Sequence, residues 1–383
     1  MIKVAVIGPS KKFLSGISYY TIRLSNALSG YVGVKAILFR DMLPKRLFPG
    51  WKRVGKTDIS NLEFNRKVEV FEILDWYNPL TWIKAFNVGR DCDVLIFQWW
   101  TSSVAHMHLV LEIMHKLSRE IPVVLEFHEV VDPLESSIAP IKFYSRIGGM
   151  LVRSLADRYV VHSSADKYNV CSIYRLPDEF VHVIPHGVYD HYTPVNKVLA
   201  RKKLGLSESE FVILFFGLLR PYKGVKYLIK AFERLPENVL NESLLLIVGE
   251  AWEDKETLKL AVQSPQSKKI RVANRYVPDS EVSLYFSAAD VVVLPYLRAS
   301  QSGVAHTAMA FGLPVISTPV GGLRESLSKY RGTIFVAPGN VEELTHAIVR
   351  VHDSARKRYS VPPELRWENI AKTWINLLKK LDL

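Results

Sequence analysis

At 383 residues the chain exceeds the roughly 250 to 300 at which one hydrophobic core stops growing, so two domains are expected. It is 48% hydrophobic and 23% charged with 20 Gly and 20 Pro, which excludes a disordered or low-complexity chain, and its two cysteines, Cys92 and Cys171, lie too far apart for a CxxC zinc site or a disulfide framework. The formal net charge of +12 is uneven: residues 1–56 hold eleven lysines and arginines against Asp41 alone, residues 57–190 are net acidic, and residues 191–383 are basic again.

The N-terminus runs directly into Val4-Ala5-Val6-Ile7, with no charged region and apolar segment of a signal peptide before it. The longest apolar runs, such as 211–219, fall short of the ~18 residues of a membrane span. A cytoplasmic protein, soluble or peripheral at the inner face of the membrane, is expected. Short β-rich runs then alternate with amphipathic stretches, the pattern of a parallel sheet wound with helices. The first half predicts strands at 4–8, 34–39, 68–73, 94–98, 123–127, 158–161 and 181–184, with helices including 17–28, 104–117 and 141–155. Pro185-His186-Gly187-Val188-Tyr189-Asp190 breaks the pattern and marks a linker. The second half predicts strands at 211–216, 244–249, 270–273, 291–295, 315–318 and 334–336, with helices at 225–235, 255–262, 281–288, 304–311 and 341–353. In the last segment Trp367, Ile370, Trp374, Leu377, Leu378 and Leu381 recur with helical period. The expected domains are 1–188 and 189–362, with a C-terminal helix at 363–383 packing back on the first. Open parallel sheets bind ligands at the carboxyl ends of their strands, so two such domains facing a central cleft would bring a donor and an acceptor together.

Phe216-Gly217-Leu218-Leu219-Arg220-Pro221-Tyr222-Lys223-Gly224-Val225 falls where a buried strand turns into a helix. Gly217 and Gly224 permit close backbone approach, the new helix offers unpaired N–H groups, and Arg220 and Lys223 add two cations. Such a turn suits a diphosphate, and it is also what a solvated turn with incidental basic residues looks like. The string resembles the Gly-x-x-x-x-x-Lys-Gly loop of the family 4 retaining glycosyltransferases, which have the GT-B fold. Further matches follow in order: Gly8-Pro9-Ser10 to Ser15-Gly16-Ile17-Ser18 resembles the family's N-terminal glycine loop, Phe127-His128-Glu129 its histidine after a central strand, and Val161-His162-Ser163 and Ile184-Pro185-His186-Gly187-Val188 its segments before the hinge. The resemblance spans residues 1 to about 325. It implies an α/β protein of two Rossmann-like doubly wound domains, an acceptor-side N-terminal one and a C-terminal one for a nucleotide-diphosphate sugar donor.

The departure from the family lies between Pro295 and Pro314. Without gaps, its paired glutamates fall on Ala299 and Thr307, so both carboxylates are missing. Ser300, Gln301, Ser302 and Gly303 would instead stand at a helix N-terminus, where hydroxyls, an amide and free N–H groups can hold a sugar and a phosphate. These four, with Thr307, Gly16, Gly217 and Gly224, are the expected donor-binding residues, and Gly321-Gly322-Leu323-Arg324-Glu325 resumes the family pattern.

His128 follows its strand at the carboxyl end, where a ligand is expected, and the resemblance places it near the donor sugar; with Arg220 and Lys223 it forms the expected catalytic set. His182, His346 and His352 read as structural, while His162 and His186 could equally order the hinge. Glu129 and Asp132 are alternative general bases that nothing singles out. No metal-ligand spacing appears, and none is expected to be required. What the resemblance implies is hexose transfer with retention, by front-face attack while Arg220 and Lys223 stabilise the leaving diphosphate, onto a glycan or lipid-linked acceptor. A nucleotide-sugar binding subunit without turnover and a GT-B epimerase are the alternatives; a nucleic-acid binder ranks last, since no such module is recognisable. Finally, Lys45, Arg46, Phe48, Trp51, Lys52 and Arg53 interleave cations with aromatics around two prolines and a glycine. This segment is either a loop for an acceptor at an anionic membrane or a solvated loop packed on its own domain.

Overall fold

A computed structural model describes residues 2–13, 15–42, 62–136, 138–252, 254–354 and 357–381. The chain divides into two compact units, Met1–Gly187 with Glu364–Leu383, and Val188–Pro363. In the first unit the elements are β1 (Lys3–Pro9), α1 (Gly16–Leu28), β2 (Gly33–Asp41), β3 (Val68–Asp75), α2 (Pro79–Gly89), β4 (Val94–Trp99), α3 (Ala105–Arg119), β5 (Val123–Phe127), α4 (Ala139–Leu155), β6 (Arg158–Val161), α5 (Ser164–Tyr174) and β7 (Val181–Val183). The second unit adds α6 (Lys197–Leu204), β8 (Phe211–Phe216), α7 (Val225–Glu233), α8 (Glu237–Glu242), β9 (Ser243–Val248), α9 (Lys255–Gln263), β10 (Ile270–Ala273), α10 (Asp279–Ala288), β11 (Val291–Leu294), α11 (Gly303–Ala310), β12 (Val315–Ser317), α12 (Gly322–Ser328), β13 (Thr333–Phe335) and α13 (Val341–Asp353), after which α14 (Trp367–Leu378) returns to the first.

Among the described residues the strands form two sheets, ordered β3-β2-β1-β4-β5-β6-β7 and β10-β9-β8-β11-β12-β13, and every pairing is parallel. Both orders reverse direction beside the first strand of their unit, at β1/β4 and β8/β11, the arrangement of a doubly wound sheet whose ligands gather where the order switches. Because helices cover both faces, the central strands are apolar on both sides, which is why they read as continuous runs in the sequence. Along β1, Ala5 and Ile7 enter one core with Phe97, Leu125 and Val161, while Val4 and Val6 enter the other with Tyr20, Leu24 and Val124.

The expected strands are present, with ends moved by a residue or two. Among the described residues five helices were not foreseen: α2, α5, α6, α8 and α12. Two of them carry legible caps. Asn78 accepts a hydrogen bond from the Leu80 N–H ahead of Pro79, and Ser163 accepts one from the Asp166 N–H. The helix α14 buries Trp367, Ile370, Trp374 and Leu378 in the same core as Tyr20, Leu24 and Leu28 of α1. A Cβ at Gly187 would stand 2.5 Å from the Trp367 ring, so a bare backbone is required there.

Candidate functional site

In the second unit, the turn from β8 to α7 is shaped by backbone contacts. The Gly217 N–H donates to the Val248 carbonyl at 2.9 Å, and a Cβ on Gly249, where φ is +146°, would lie 1.9 Å from the Gly217 oxygen. At the far end Gly224 has φ +66°, and a Cβ there would fall 2.0 Å from the Pro295 carbonyl oxygen. Glycine is the residue that fits both positions. The Leu297 N–H then donates to the Tyr222 carbonyl at 2.8 Å, tying the turn to the carboxyl end of β11.

The turn's two cations are held by aromatic faces instead of carboxylates. The Lys223 Nζ sits 3.7 Å from the centroid of the buried Tyr296 ring, and the Arg220 guanidinium lies 5.1 Å from the Trp252 ring. Among the described residues neither pairs with an acidic side chain, and the buried Arg220 Nε has no hydrogen-bond partner. Two cations without carboxylate partners among the described residues, beside a buried unused donor, have the chemistry that suits an anion, since a buried donor left unmade is costly. Tyr296 also carries the turn to α11: its hydroxyl lies 3.4 Å from the Ser302 hydroxyl, and Ser302 accepts from the Ala305 N–H to cap that helix.

The stretch that lacks the family carboxylates is packed closely. Gly322 donates to the Ser300 carbonyl at 3.0 Å, and a Cβ on Gly321, φ +51°, would lie 1.7 Å from the Ala299 oxygen. Gly303 opens α11 with its Cα against the Tyr189 ring, 2.4 Å from where a Cβ would stand. Ser300 and Gln301 are half-buried, whereas Thr307 is buried and its hydroxyl donates to the Gly303 carbonyl at 2.9 Å, one helical turn back.

In the first unit the structure assembles what the sequence left scattered. His128 directly follows β5, and its N–H donates to the Trp99 carbonyl at 2.7 Å. Its Nε2 lies 2.6 Å from the Gln98 Oε1; the Gln98 Nε2 donates to the Glu126 Oε2 at 2.6 Å; and the Tyr20 hydroxyl donates to the Glu126 Oε1 at 2.5 Å. Glu126, Gln98 and Tyr20 are fully buried. Burial, offset in part by the Tyr20 and Gln98 hydrogen bonds, raises the Glu126 carboxyl to about 7. Burial also holds His128 well below the usual histidine value and His162 at about 4, so both rings are neutral at physiological pH. His162 packs 5.1 Å from the His128 ring, and its Nδ1 donates to the Ile184 carbonyl at 3.0 Å, while His186 lies 4.7 Å from Tyr20.

His128, Tyr20, His162 and His186 thus form one group, with Gly16 starting the helix that supplies Tyr20, capped by Ser15. Asp132 accepts from the Ser102 and Leu134 N–H groups. Lys45, Arg46, Phe48, Trp51, Lys52 and Arg53 lie outside the described residues. Sequence reasoning missed Gln98, Glu126, Tyr20 and Tyr296. A polar residue inside an otherwise apolar central strand was the available signal for the first two.

Residues 14–191 match the family described as Glycosyltransferase Family 4, and residues 196–373 match Glycosyl transferases group 1, so together the two spans take in nearly the whole chain. The chain belongs to these glycosyltransferases. Within the family it is similar to an uncharacterized glycosyltransferase of Methanocaldococcus jannaschii, 31% identical over 57% of this chain and 58% of the relative. It also resembles a D-inositol 3-phosphate glycosyltransferase of Pseudarthrobacter chlorophenolicus, 26% identical over 70% of this chain and 64% of the relative. The matched region thus spans less than two thirds of these relatives' length. The fold is that of a sucrose-phosphate synthase from Thermosynechococcus elongatus (TM-score 0.70, 18% identity, 100% and 99% of the two chains) and of HepE from Anabaena, a structure in complex with UDP (0.70, 18%, 99% and 100%). These neighbours establish a GT-B architecture of two Rossmann-like parallel-sheet domains.

Proposed function

We propose that this glycosyltransferase moves a hexose, with retention, from a nucleotide-diphosphate sugar to a glycan or lipid-linked acceptor, without a metal ion. The observation that carries the reading is the 217–224 turn, where Arg220 and Lys223 stand, among the described residues, without carboxylate partners at the start of α7. An anionic diphosphate is the group such a turn is suited to hold, and HepE, whose structures were determined with UDP and with UDP-glucose, supports a uridine donor as the first to test. As the sugar leaves, charge grows on the β-phosphate, and the two preorganised cations stabilise it most at that moment. Ser300, Gln301, Ser302 and Gly303 take over sugar contacts from the missing carboxylates, and His128 positions the sugar or the acceptor.

Peripheral attachment to an anionic membrane is part of this proposal. Among the described residues no helix is long and apolar enough to cross a bilayer. The helix α4 instead exposes Phe143 (69%), Met150 (51%), Ile141, Tyr144, Ile147 and Leu151, carries Lys142 and Arg146, the latter 3.6 Å from Glu135, and contains no acidic residue. Apolar and basic rows on one helix suit the boundary between headgroups and acyl chains.

The deciding experiment incubates the protein, in EDTA, with UDP-, GDP- and ADP-hexoses, with and without lipid-linked or oligosaccharide acceptors, and follows nucleotide release and the anomer of the product. Acceptor-dependent release with a retained anomer is expected. Donor conversion without acceptor would replace the reading by an epimerase, binding without turnover would replace it by a binding subunit, and an absolute need for added magnesium would refute the metal-free mechanism.

A further inference from the structure

We propose that Tyr20, Glu126 and Gln98 form a relay that fixes the tautomer of His128, presenting its Nδ1 as a hydrogen-bond acceptor for a hydroxyl of the bound sugar or acceptor. The inference rests on the transferase reading for its substrate and on this chain's own hydrogen bonds for the relay.

The polarity follows from counting donors and acceptors. Above about pH 7 Glu126 is an ionised carboxylate that only accepts; the tyrosine hydroxyl then donates to its Oε1, which leaves Oε2 as an acceptor for the next group. Gln98 meets Oε2 with its amide N–H, so its carbonyl is turned to His128 at 2.6 Å. A carbonyl accepts only, and therefore the His128 Nε2 carries the proton. In a neutral imidazole the other nitrogen then holds the lone pair. No hydrogen bond to Nδ1 occurs among the described residues, His128 is half-buried where the other members are fully buried, and its ring is braced edge-on by Tyr20 at 4.8 Å. The relay thus ends in an accessible acceptor at the carboxyl end of β5.

The His162 ring beside Glu126 does not take part in these hydrogen bonds. The His162 Nε2 stands 3.9 Å from Oε1, beyond hydrogen-bond reach, and that ring's own proton is committed at Nδ1 to the Ile184 carbonyl. His186 commits its Nδ1 proton to the Gly187 carbonyl at 2.7 Å.

The relay also implies its own reversal. In Glu126→Gln, Tyr20 still donates to the new carbonyl, so the new amide N–H faces Gln98. Gln98 must answer with its carbonyl, its own amide N–H turns to His128, and the ring is driven to the Nδ1–H tautomer. Nitrogen-15 NMR of the substrate-free protein at pH 8.5 reads this directly, with His128 identified by the signal lost in His128→Asn. The expected result is Nε2–H in the wild type and Nδ1–H in Glu126→Gln. An Nδ1–H wild type, or a Glu126→Gln variant whose tautomer is unchanged, overturns the relay. If Glu126→Gln does not fold, Gln98→Met removes the middle link and should leave both tautomers populated, whereas a single unchanged tautomer there overturns the relay too. Because the readout needs no substrate, loss of the transferase reading leaves it standing. A catalytic readout sharpens it: replacing the contacted hydroxyl by fluorine, which cannot donate, should lower kcat/KM roughly 5- to 10-fold in the wild type and less in Glu126→Gln. An equal penalty in both would contradict the acceptor role.

Discussion

The 217–224 turn of the second unit and the Tyr20–Glu126–Gln98–His128 chain of the first both hold polar groups in place, by opposite means. In the turn, backbone meets backbone: Gly249 against Gly217 and Gly224 against Pro295 leave no room for a Cβ, and the cations rest on aromatic faces. In the buried chain, each side chain is fixed by a hydrogen bond to the next. The first design should be intolerant of added volume and permissive of lost charge. The second should be sensitive to the loss or reversal of one proton.

The widest separation is expected from adding a methyl group. Gly249→Ala combines φ +146° with a Cβ 1.9 Å from a carbonyl oxygen, and should cost at least ~3 kcal/mol in urea unfolding. Gly205→Ala, at φ +63° with nothing within 4 Å, should cost about 1 kcal/mol. Similar losses at the two sites would show that close approach does not shape the turn.

Next in size is the pH dependence of the buried chain. Glu126 keeps its proton in the folded state up to about pH 7, against about 4.5 for an exposed glutamate. Between those values the folded protein binds more protons than the unfolded one, so this group's contribution falls as pH rises, by about 3 kcal/mol in all. His128 and His162, shifted down, act in the opposite direction but are common to Glu126→Gln, so they cancel in the difference. Stability of the wild type relative to Glu126→Gln should decline from pH 4.5 to 7 in denaturant titrations, and a flat difference would place Glu126 in water.

Removing charge from the turn should leave the fold intact. Arg220→Ala and Lys223→Ala should each lower turnover roughly 10- to 150-fold, as expected for a charge-assisted hydrogen bond felt in the transition state, with melting temperatures close to the wild type. Unchanged turnover in both would remove the diphosphate from the account. The smallest effect is expected at Gln301→Ala, a raised KM for donor of several-fold, about 1 kcal/mol of one neutral hydrogen bond; an unchanged KM would make that segment structural.

What was legible in the sequence follows the same division. The strands stood out because burial on both faces makes them apolar throughout, and Gly217, Arg220, Lys223 and Gly224 stood out because glycine and charge punctuate an apolar run. The helix α5 did not: it buries only Asp166 and Val170, so its period is faint, and the Ser163 cap was the one signal available. Gln98 and Glu126 are 28 residues apart in the chain and meet because β4 and β5 pair with Gln98 opposite Glu126, a register set by the sheet and invisible to a local pattern. Tyr296 was hidden for a similar reason, since its partner Lys223 comes from a distant turn.

Calorimetric titration with UDP, GDP and ADP, on the wild type and on the Arg220→Ala/Lys223→Ala double variant, tests the central claim most directly. At least one nucleoside diphosphate should bind the wild type, and the double variant should bind it roughly 100-fold or more weakly, since each cation contributes ~1.5 to 3 kcal/mol. Binding of none of them, or equal affinity in the double variant, would contradict the account.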